Sequence, residues 1–451
     1  MTITSFFNVE TLLIALGLAA FAYLAWQRIL WGIYMIAAFL PLYLIRFSVG
    51  FFHSTVLELG ILILGCIWLI KNSRWKRIRL PIGPASGSLQ AVPLRFQLPI
   101  ALLLIAAGIG FLFSPDTAHA LGTLKAYFLE PTLILLIMVY EIKLEQDAVT
   151  IMYLLGGLVI VVGLIAVWQS YTGYGIPTAF WANDATRRVT TFFGYPNASA
   201  LLVGPIVGFY IGYLFKQDSV ATHAFKIMVI TMGVITILAA HSTGALVAIC
   251  AVLVMVFLRY KYTRTLMIAG LIIGGTLLLN SARVQDRIVT LQRNVTNNYL
   301  DLASSSLEIR INQWRETALL IRDHWLLGAG LDGYQTKLAP YHQYSWLEIY
   351  LYPHNIFLNA WTELGLLGLA AFVWLGIVIF KSLLSVIKRS YYATWAWALL
   401  YAWVALLVHG LVDVPFFKND LSVLFMIFVG LTILVWNWSA SPVLGKRHST
   451  K

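Results

Sequence analysis

Apolar residues fill long blocks along most of the chain, and short polar breaks separate them. A helix needs about 20 apolar residues to cross a bilayer, and only helices or closed barrels satisfy their backbone there. Blocks of that kind lie near 10–26, 29–47, 54–70, 98–114, 120–140, 149–171, 193–215, 224–240, 242–258, 265–280, 355–380, 393–412 and 421–438. The pattern predicts an all-α polytopic membrane protein with about 12–13 transmembrane helices. The two blocks flanking His241 read either as two spans or as one broken span.

The polar breaks set the organisation. A transmembrane bundle over 1–280 is followed by an outer segment over 281–354, C-terminal spans over 355–438 and a basic tail over 439–451. The loop 71–97 holds Lys71, Arg74, Lys76, Arg77, Arg79 and Arg95 and no acid, so it is expected on the cytoplasmic side. Alternating from there puts Arg28, Lys143, Lys216, Lys226, Arg259, Lys381 and Lys388 on that side too. It puts 172–192, the His241 turn, 281–354 and 413–420 on the outer face. The segment 281–354 is too long for a passive connection. It carries Arg283, Arg287, Arg293, Arg310, Arg315 and Arg322 against the positive-inside tendency, which suggests that these charges have a task. Within it, Leu307, Ile311, Trp314, Ala318 and Ile321 recur at spacings of three and four, with Arg310, Gln313 and Thr317 on the adjoining face. Ser304–Leu327 therefore reads as an amphipathic helix along the membrane surface, stopped by Gly328-Ala329-Gly330.

Composition narrows the function classes. With 60% apolar and 11% charged residues, the chain is neither a water-soluble core nor a disordered segment. A net charge of +12 would point to nucleic acid in a soluble protein. Here it follows from basic cytoplasmic loops, so membrane lipids are expected as partners and nucleic acid is not. Cys66 and Cys250 sit inside apolar runs, with no disulfide framework and no ligand spacing. Met1–Glu10 has no basic n-region, so no cleavable signal is expected. Without a metal-ligand motif or a Walker A sequence, neither a metal nor another cofactor is expected, nor ATP-driven transport.

Five groups of residues could carry chemistry. Pro353-His354-Asn355 opens the span 355–380, and a histidine at a span mouth suits a base near neutral pH; its structural reading is an interfacial helix cap. Arg187, Arg188 and Arg310 lie near span mouths, where a guanidinium can hold a phosphate by two hydrogen bonds; lipid headgroups or internal acids are the structural alternative. For Arg315 and Arg322, pairing with Glu316 and Asp323 is preferred. Phe193-Gly194-Tyr195-Pro196-Asn197 opens a span, with Asn197 able to cap it. Lys125 and Glu130 fall inside the span 120–140, where charges need a partner or water, and each is expected to find a partner elsewhere. His409-Gly-Leu-Val-Asp413 and Pro415–Asp420 form a polar outer turn that reads first as a capped connection between helices.

Taken in order, Arg310-(x)3-Trp314-(x)13-Gly328-Ala329-Gly330, His354-Asn355 and Glu363-Leu-Gly-Leu-Leu-Gly368 resemble the bacterial O-antigen ligase and polymerase family. So do Leu124-Lys-Ala-Tyr-Phe-Leu-Glu-Pro131, the stretch from Arg188 to Asn197-Ala198, and His409-Gly-Leu-Val-Asp413. The resemblance runs from about residue 105 onward. It implies a multi-span glycosyltransferase of the inner membrane with its active site on the periplasmic face. The donor would be an undecaprenyl diphosphate-linked glycan, and the acceptor lipid A core or another glycan. By motif, His354 and Arg310 match the histidine and arginine held to be essential in the ligases, with diphosphate held by Arg310 and Arg187 or Arg188. Asn355, Asn197, Lys125, Glu130, His409 and Asp413 would support them. One departure stands out: Ser242-Thr243-Gly244 occupies a turn where family members often carry Ser-Arg-Gly.

Ligase-like transfer is the favoured reading, with an O-antigen or exopolysaccharide polymerase beside it. A peptidoglycan-type polymerase would use an outer carboxylate such as Asp301, Asp332 or Glu348, and the His-Asn motif argues against it. A flippase or transporter is disfavoured by the lack of an internal repeat and by polar groups gathered at the outer mouth. A membrane scaffold predicts that no single polar residue is essential.

Overall fold

A computed structural model describes residues 9–49, 52–72, 92–259, 261, 263–270, 289, 306–343, 348–389 and 391–440. Most of the predicted span 265–280, the outer arginines Arg283, Arg287 and Arg293, Asp301, most of the basic loop 71–97 and the tail 441–451 lie outside the described residues.

Helices make up nearly all of what is described. They are α1 (Val9–Gln27), α2 (Ile29–Ala38), α3 (Val56–Lys71), α4 (Leu94–Leu112), α5 (Thr117–Glu141), α6 (Glu145–Thr172), α7 (Pro196–Tyr213), α8 (Val220–Ala239), α9 (Thr243–Arg259), α10 (Ser306–Asp323), α11 (Ile356–Arg389), α12 (Ala393–Gly410) and α13 (Asn419–Ala440). Among the described residues, α4, α5, α6, α8, α11, α12 and α13 are long and apolar enough to cross a membrane. The fold is the all-α polytopic one that the apolar blocks predict. The blocks flanking His241 are two helices, α8 and α9.

One block departs from its expected form. The block 29–47 is helical only to Ala38, and a 3-10 turn over Leu40–Leu44 follows with Pro41 in it. Proline lacks the N–H that an α-helix needs there. The chain then makes a small hairpin in which Arg46–Val49 (β1) pairs antiparallel with Phe52–Thr55 (β2).

The core is built around α7 and α13, which are buried along nearly their whole length. Two glycines let α7 lie against α12. A Cβ on Gly208 would fall 2.8 Å from the Tyr401 carbonyl oxygen, and one on Gly212 would fall 2.6 Å from Ala398 Cα. Small residues are the usual means of bringing two membrane helices this close. Helix α5 widens to a π-turn over Leu124–Leu129, just before Pro131. The missing proline N–H disrupts the ordinary ladder, and Ser422 Oγ reaches the Ala126 carbonyl from α13 at 3.4 Å.

Polar groups collect at the two ends of the bundle. At one end Arg28 faces Asp147 at 3.7 Å, Lys216 pairs with Glu145 at 2.9 Å, and Lys226 pairs with Asp218 at 2.5 Å. At the other end the loop before α7 meets the His241 turn through Val189 N–H and the Ala239 carbonyl, and the loop before α11 meets the turn after α12.

Helix α10 is amphipathic and packs a largely polar face against the protein. Its buried face carries Glu308, Asn312, Gln313, Glu316 and Thr317 along with Leu320 and Ile321, while Leu307 and Ala318 are exposed. The reason is its neighbour, an irregular loop whose backbone needs partners. Gln313 and Trp314 donate to the carbonyls of Tyr352 and Pro353 at 2.7 and 2.8 Å, and Glu316 accepts from the Gln343 amide at 3.1 Å.

After α10 the chain threads between α4 and a kink in α11. Ala329 N–H bonds the Thr362 carbonyl, Leu331 N–H bonds Gly110, and Leu366 N–H bonds Leu326. Gly328 (φ 68°), Gly330 (φ 83°) and Gly365 (φ 68°) adopt left-handed backbone that favours glycine. The Gly-Ala-Gly and Glu-Leu-Gly motifs are thus the two halves of one backbone-to-backbone contact.

Candidate active site at one end of the bundle

The site is assembled around a single carboxylate. Asp413, on the turn between α12 and α13, is 1% exposed. Its Oδ1 accepts the Val414 amide at 2.9 Å and lies 3.3 Å from His354 Nδ1. Its Oδ2 accepts from Asn197 Nδ2 at 3.0 Å and lies 3.9 Å from Arg310 Nη2. Burial alone would push this carboxyl up. The His354 hydrogen bond and the nearby His354, His409 and Arg310 outweigh that and hold it down to about 2. The group is therefore a carboxylate throughout the physiological range.

That fixes the histidine. An ionised carboxylate offers only acceptors, so Nδ1 of a neutral His354 must carry the proton and Nε2 the lone pair. The residue sits just before α11 with φ 47°, unusual for a side chain with a Cβ. Its neighbours hold it there. Asn355 caps α11 by accepting from the Phe357 and Leu358 amides at 3.0 and 3.1 Å, and it donates to the Leu411 carbonyl at 2.9 Å. Helix α10 holds the carbonyls of Tyr352 and Pro353, as described above. The rings of Tyr350 and Tyr352 pack edge-on to His354 with centroids 5.3 and 4.9 Å away.

Two guanidiniums complete the cluster. Arg310 donates to Ser306 Oγ at 2.7 Å, and its Nε is buried without a hydrogen bond among the described residues. Arg188 donates to the Ala240 carbonyl at 3.0 Å and to Asn197 Oδ1 at 3.3 Å. Burial and the like charge of Arg310 both depress the pKa of Arg188. Arg310 thus faces the carboxylate directly and Arg188 reaches it through Asn197, which gathers two guanidiniums around the partner of a half-buried histidine. An anion that presents several oxygens suits such a place.

The other sequence candidates fall around this centre or away from it. Arg187 pairs with Asp184 and donates to the carbonyls of Ser170, Tyr171 and Ala182, so its contacts brace the loop before α7. His409 is buried one helical turn from Asp413, and a Cβ on Gly244 would meet its ring at 2.9 Å. Thr243 is exposed at the start of α9, beside the Ala240 carbonyl that Arg188 holds. Arg322 pairs with Asp323 at 3.0 Å.

Lys125 and Glu130 belong to a separate buried group. Lys125 pairs with Glu58 of α3 at 2.7 Å, and Glu58 also accepts from Ser54 and Asn419 at 2.8 and 2.7 Å. Lys125 has the partner expected of it. Glu130 departs from that expectation: both of its oxygens are buried without a hydrogen bond among the described residues. Asp332 has no place in the His354 cluster; its amide donates to Glu363 at 2.6 Å. Glu58 escaped the sequence reading, although a lone acid inside an apolar block was the available signal. Among the described residues, no three His, Cys, Asp or Glu side chains converge as metal ligands do.

Residues 227–373, from α8 into α11, match the family model of O-antigen ligase. No curated protein matches the chain.

Proposed function

We propose that this chain, whose residues 227–373 match the O-antigen ligase family model, moves a glycan from undecaprenyl diphosphate to the hydroxyl of a lipid or glycan acceptor on the outer face of the inner membrane. The observation that carries the reading is the His354–Asp413 pair with Arg310 and Arg188 beside it.

The steps follow from the charges. The acceptor oxygen attacks the anomeric carbon of the donor sugar. Its proton passes to His354 Nε2, and Asp413 stabilises the imidazolium formed. The bond from the anomeric carbon to the carrier diphosphate breaks, and its electron pair goes to the departing diphosphate. Arg310 and Arg188 stabilise the charge that grows there. A single displacement inverts the anomeric centre. Where family members often carry Arg in place of Thr243, the Arg188 guanidinium is held at the same turn, and it supplies the missing charge.

The test is a glycan gel from a deletion host that carries the wild-type gene or His354→Ala at equal protein level. The wild type restores the glycan, and His354→Ala loses it, with transfer reduced about 10²-fold to 10⁴-fold as expected for a general base. Preformed chains on a lipid acceptor mark a ligase, and a ladder of repeats marks a polymerase. A full profile from His354→Ala would sink the proposal and return the flippase reading.

A further inference from the structure

The turn that carries Asp413 ends in a second cation with no use in the reaction above. Lys418 Nζ lies 5.0, 4.4 and 5.3 Å from the ring centroids of Tyr43, Phe193 and Tyr195. Asp420 Oδ1 is 3.8 Å away, too far for a hydrogen bond. Lys418 Nζ is buried with no hydrogen bond among the described residues, while the buried Asp420 carboxylate is met by the start of the α13 backbone. An ammonium has three donors, and burying them unused is costly.

More polar groups lie nearby. Tyr43 and Tyr352 are each within electrostatic reach of Tyr127 and Tyr195, and Asp420 is within reach of Tyr43, Tyr127 and Tyr195. Arg46, exposed on the β1–β2 hairpin, is within reach of Lys418, Tyr43 and Tyr127. The wall toward the active site is thin: Tyr195 Oη is 3.4 Å from Tyr352 Oη, and the Tyr352 ring packs on His354. The Arg188–Asn197–Arg310 group meets His354 through Asp413 instead.

Aromatic faces, phenols and a carboxylate together suit a sugar, whose C–H face packs on rings and whose hydroxyls seek donors and acceptors. Two cations beside them suit an anion. We propose that this cluster forms the acceptor subsite, and that Lys418 selects an acceptor glycan bearing an anionic group close to the sugar that is glycosylated. Lys418 leaves the rings to pair with that group, and the rings take the sugar. The group is a phosphate or a sugar carboxylate. The proposal rests on the transferase reading above.

The test uses the full-length protein in nanodiscs with an undecaprenyl diphosphate-linked donor and three short acceptors: neutral, phosphorylated and uronic acid-bearing. Wild type is expected to favour at least one anionic acceptor over the neutral one by about tenfold in kcat/KM, and which one identifies the group. Lys418→Met combined with Asp420→Asn, which leaves neither charge alone, is expected to lose that preference through the acceptor KM while the donor KM moves little. Lys418→Arg is expected to restore most of it. Wild-type transfer that depends on His354 without any acceptor charge preference would overturn the subsite alone. So would a loss in the double variant equal for neutral and anionic acceptors, or one confined to the donor KM. No transfer by wild type to any acceptor would overturn the transferase reading, and the subsite with it.

Discussion

At the scale of single residues, Asp413 makes the sharpest prediction. An acid whose pKa is lower in the folded than in the unfolded state stabilises the fold above the unfolded value, and it loses that contribution as the pH falls through the folded one. Held down to about 2, Asp413 stays ionised across the working range, so its pairing is lost only in strong acid. Asp413→Asn is therefore expected to slow transfer at every pH between about 5 and 9, by about 10²-fold or more. A pH–rate profile on purified protein checks this, and a variant with wild-type rates at either end of that range would remove Asp413 from the mechanism. Arg310→Lys keeps the charge and loses the two-pronged geometry. It is expected to recover only part of the about 10²-fold to 10³-fold loss of Arg310→Ala in single-turnover transfer. His354 and Arg310 were legible in the sequence because they sit in ordered motifs near span mouths. The central place of Asp413 was not, because an acid on a short turn after an apolar helix reads as a cap. Its bond to His354 closes a loop of 59 residues, which no local pattern records. Arg187 and Arg188 are equivalent by spacing, and only the folded loop separates a brace from a member of the cluster.

At the scale of helices, apolar blocks were legible because the bilayer demands a length, and twelve of the thirteen blocks coincide in the main with described helices. What the pattern left open is what the polar face of α10 meets: an irregular loop draws Gln313, Glu316 and Thr317 inward. Helix α5 carries the clearest energetic consequence. Lys125→Met removes one partner of a buried pair and leaves Glu58 without its cation, which is expected to cost about 3–5 kcal/mol. Adding Glu58→Gln is expected to recover most of that, because the buried charge is then absent too. Thermal unfolding in detergent measures both variants. Equal losses in the single and double variants would show that the pair does not hold α3 to α5.

At the scale of the whole molecule, the charge bias predicts which end faces outward, and the fold gathers the segments concerned. The loop before α7, the His241 turn, the loop before α11 and the turn after α12 all meet at the Asp413 end. With Cys66 and Cys250 replaced by serine, Ala185→Cys in the loop before α7 is expected to react with an impermeant maleimide on intact spheroplasts. Gln217→Cys, between α7 and α8, is expected to react only after the membrane is opened. Both positions are exposed, so the reverse pattern would invert the topology and move the site to the cytoplasm. The way Asp413 gathers Asn197, Arg310 and His354 also bears on how the protein is made. All three emerge from the ribosome before it. Until residue 413 is translated, the inserted nascent chain has a histidine with no orienting carboxylate and guanidiniums with no common counter-ion. On the proposed mechanism, unfinished copies left in the bilayer by stalled translation would be inert toward carrier-linked glycans, and competence would arrive late, with the final hairpin of helices.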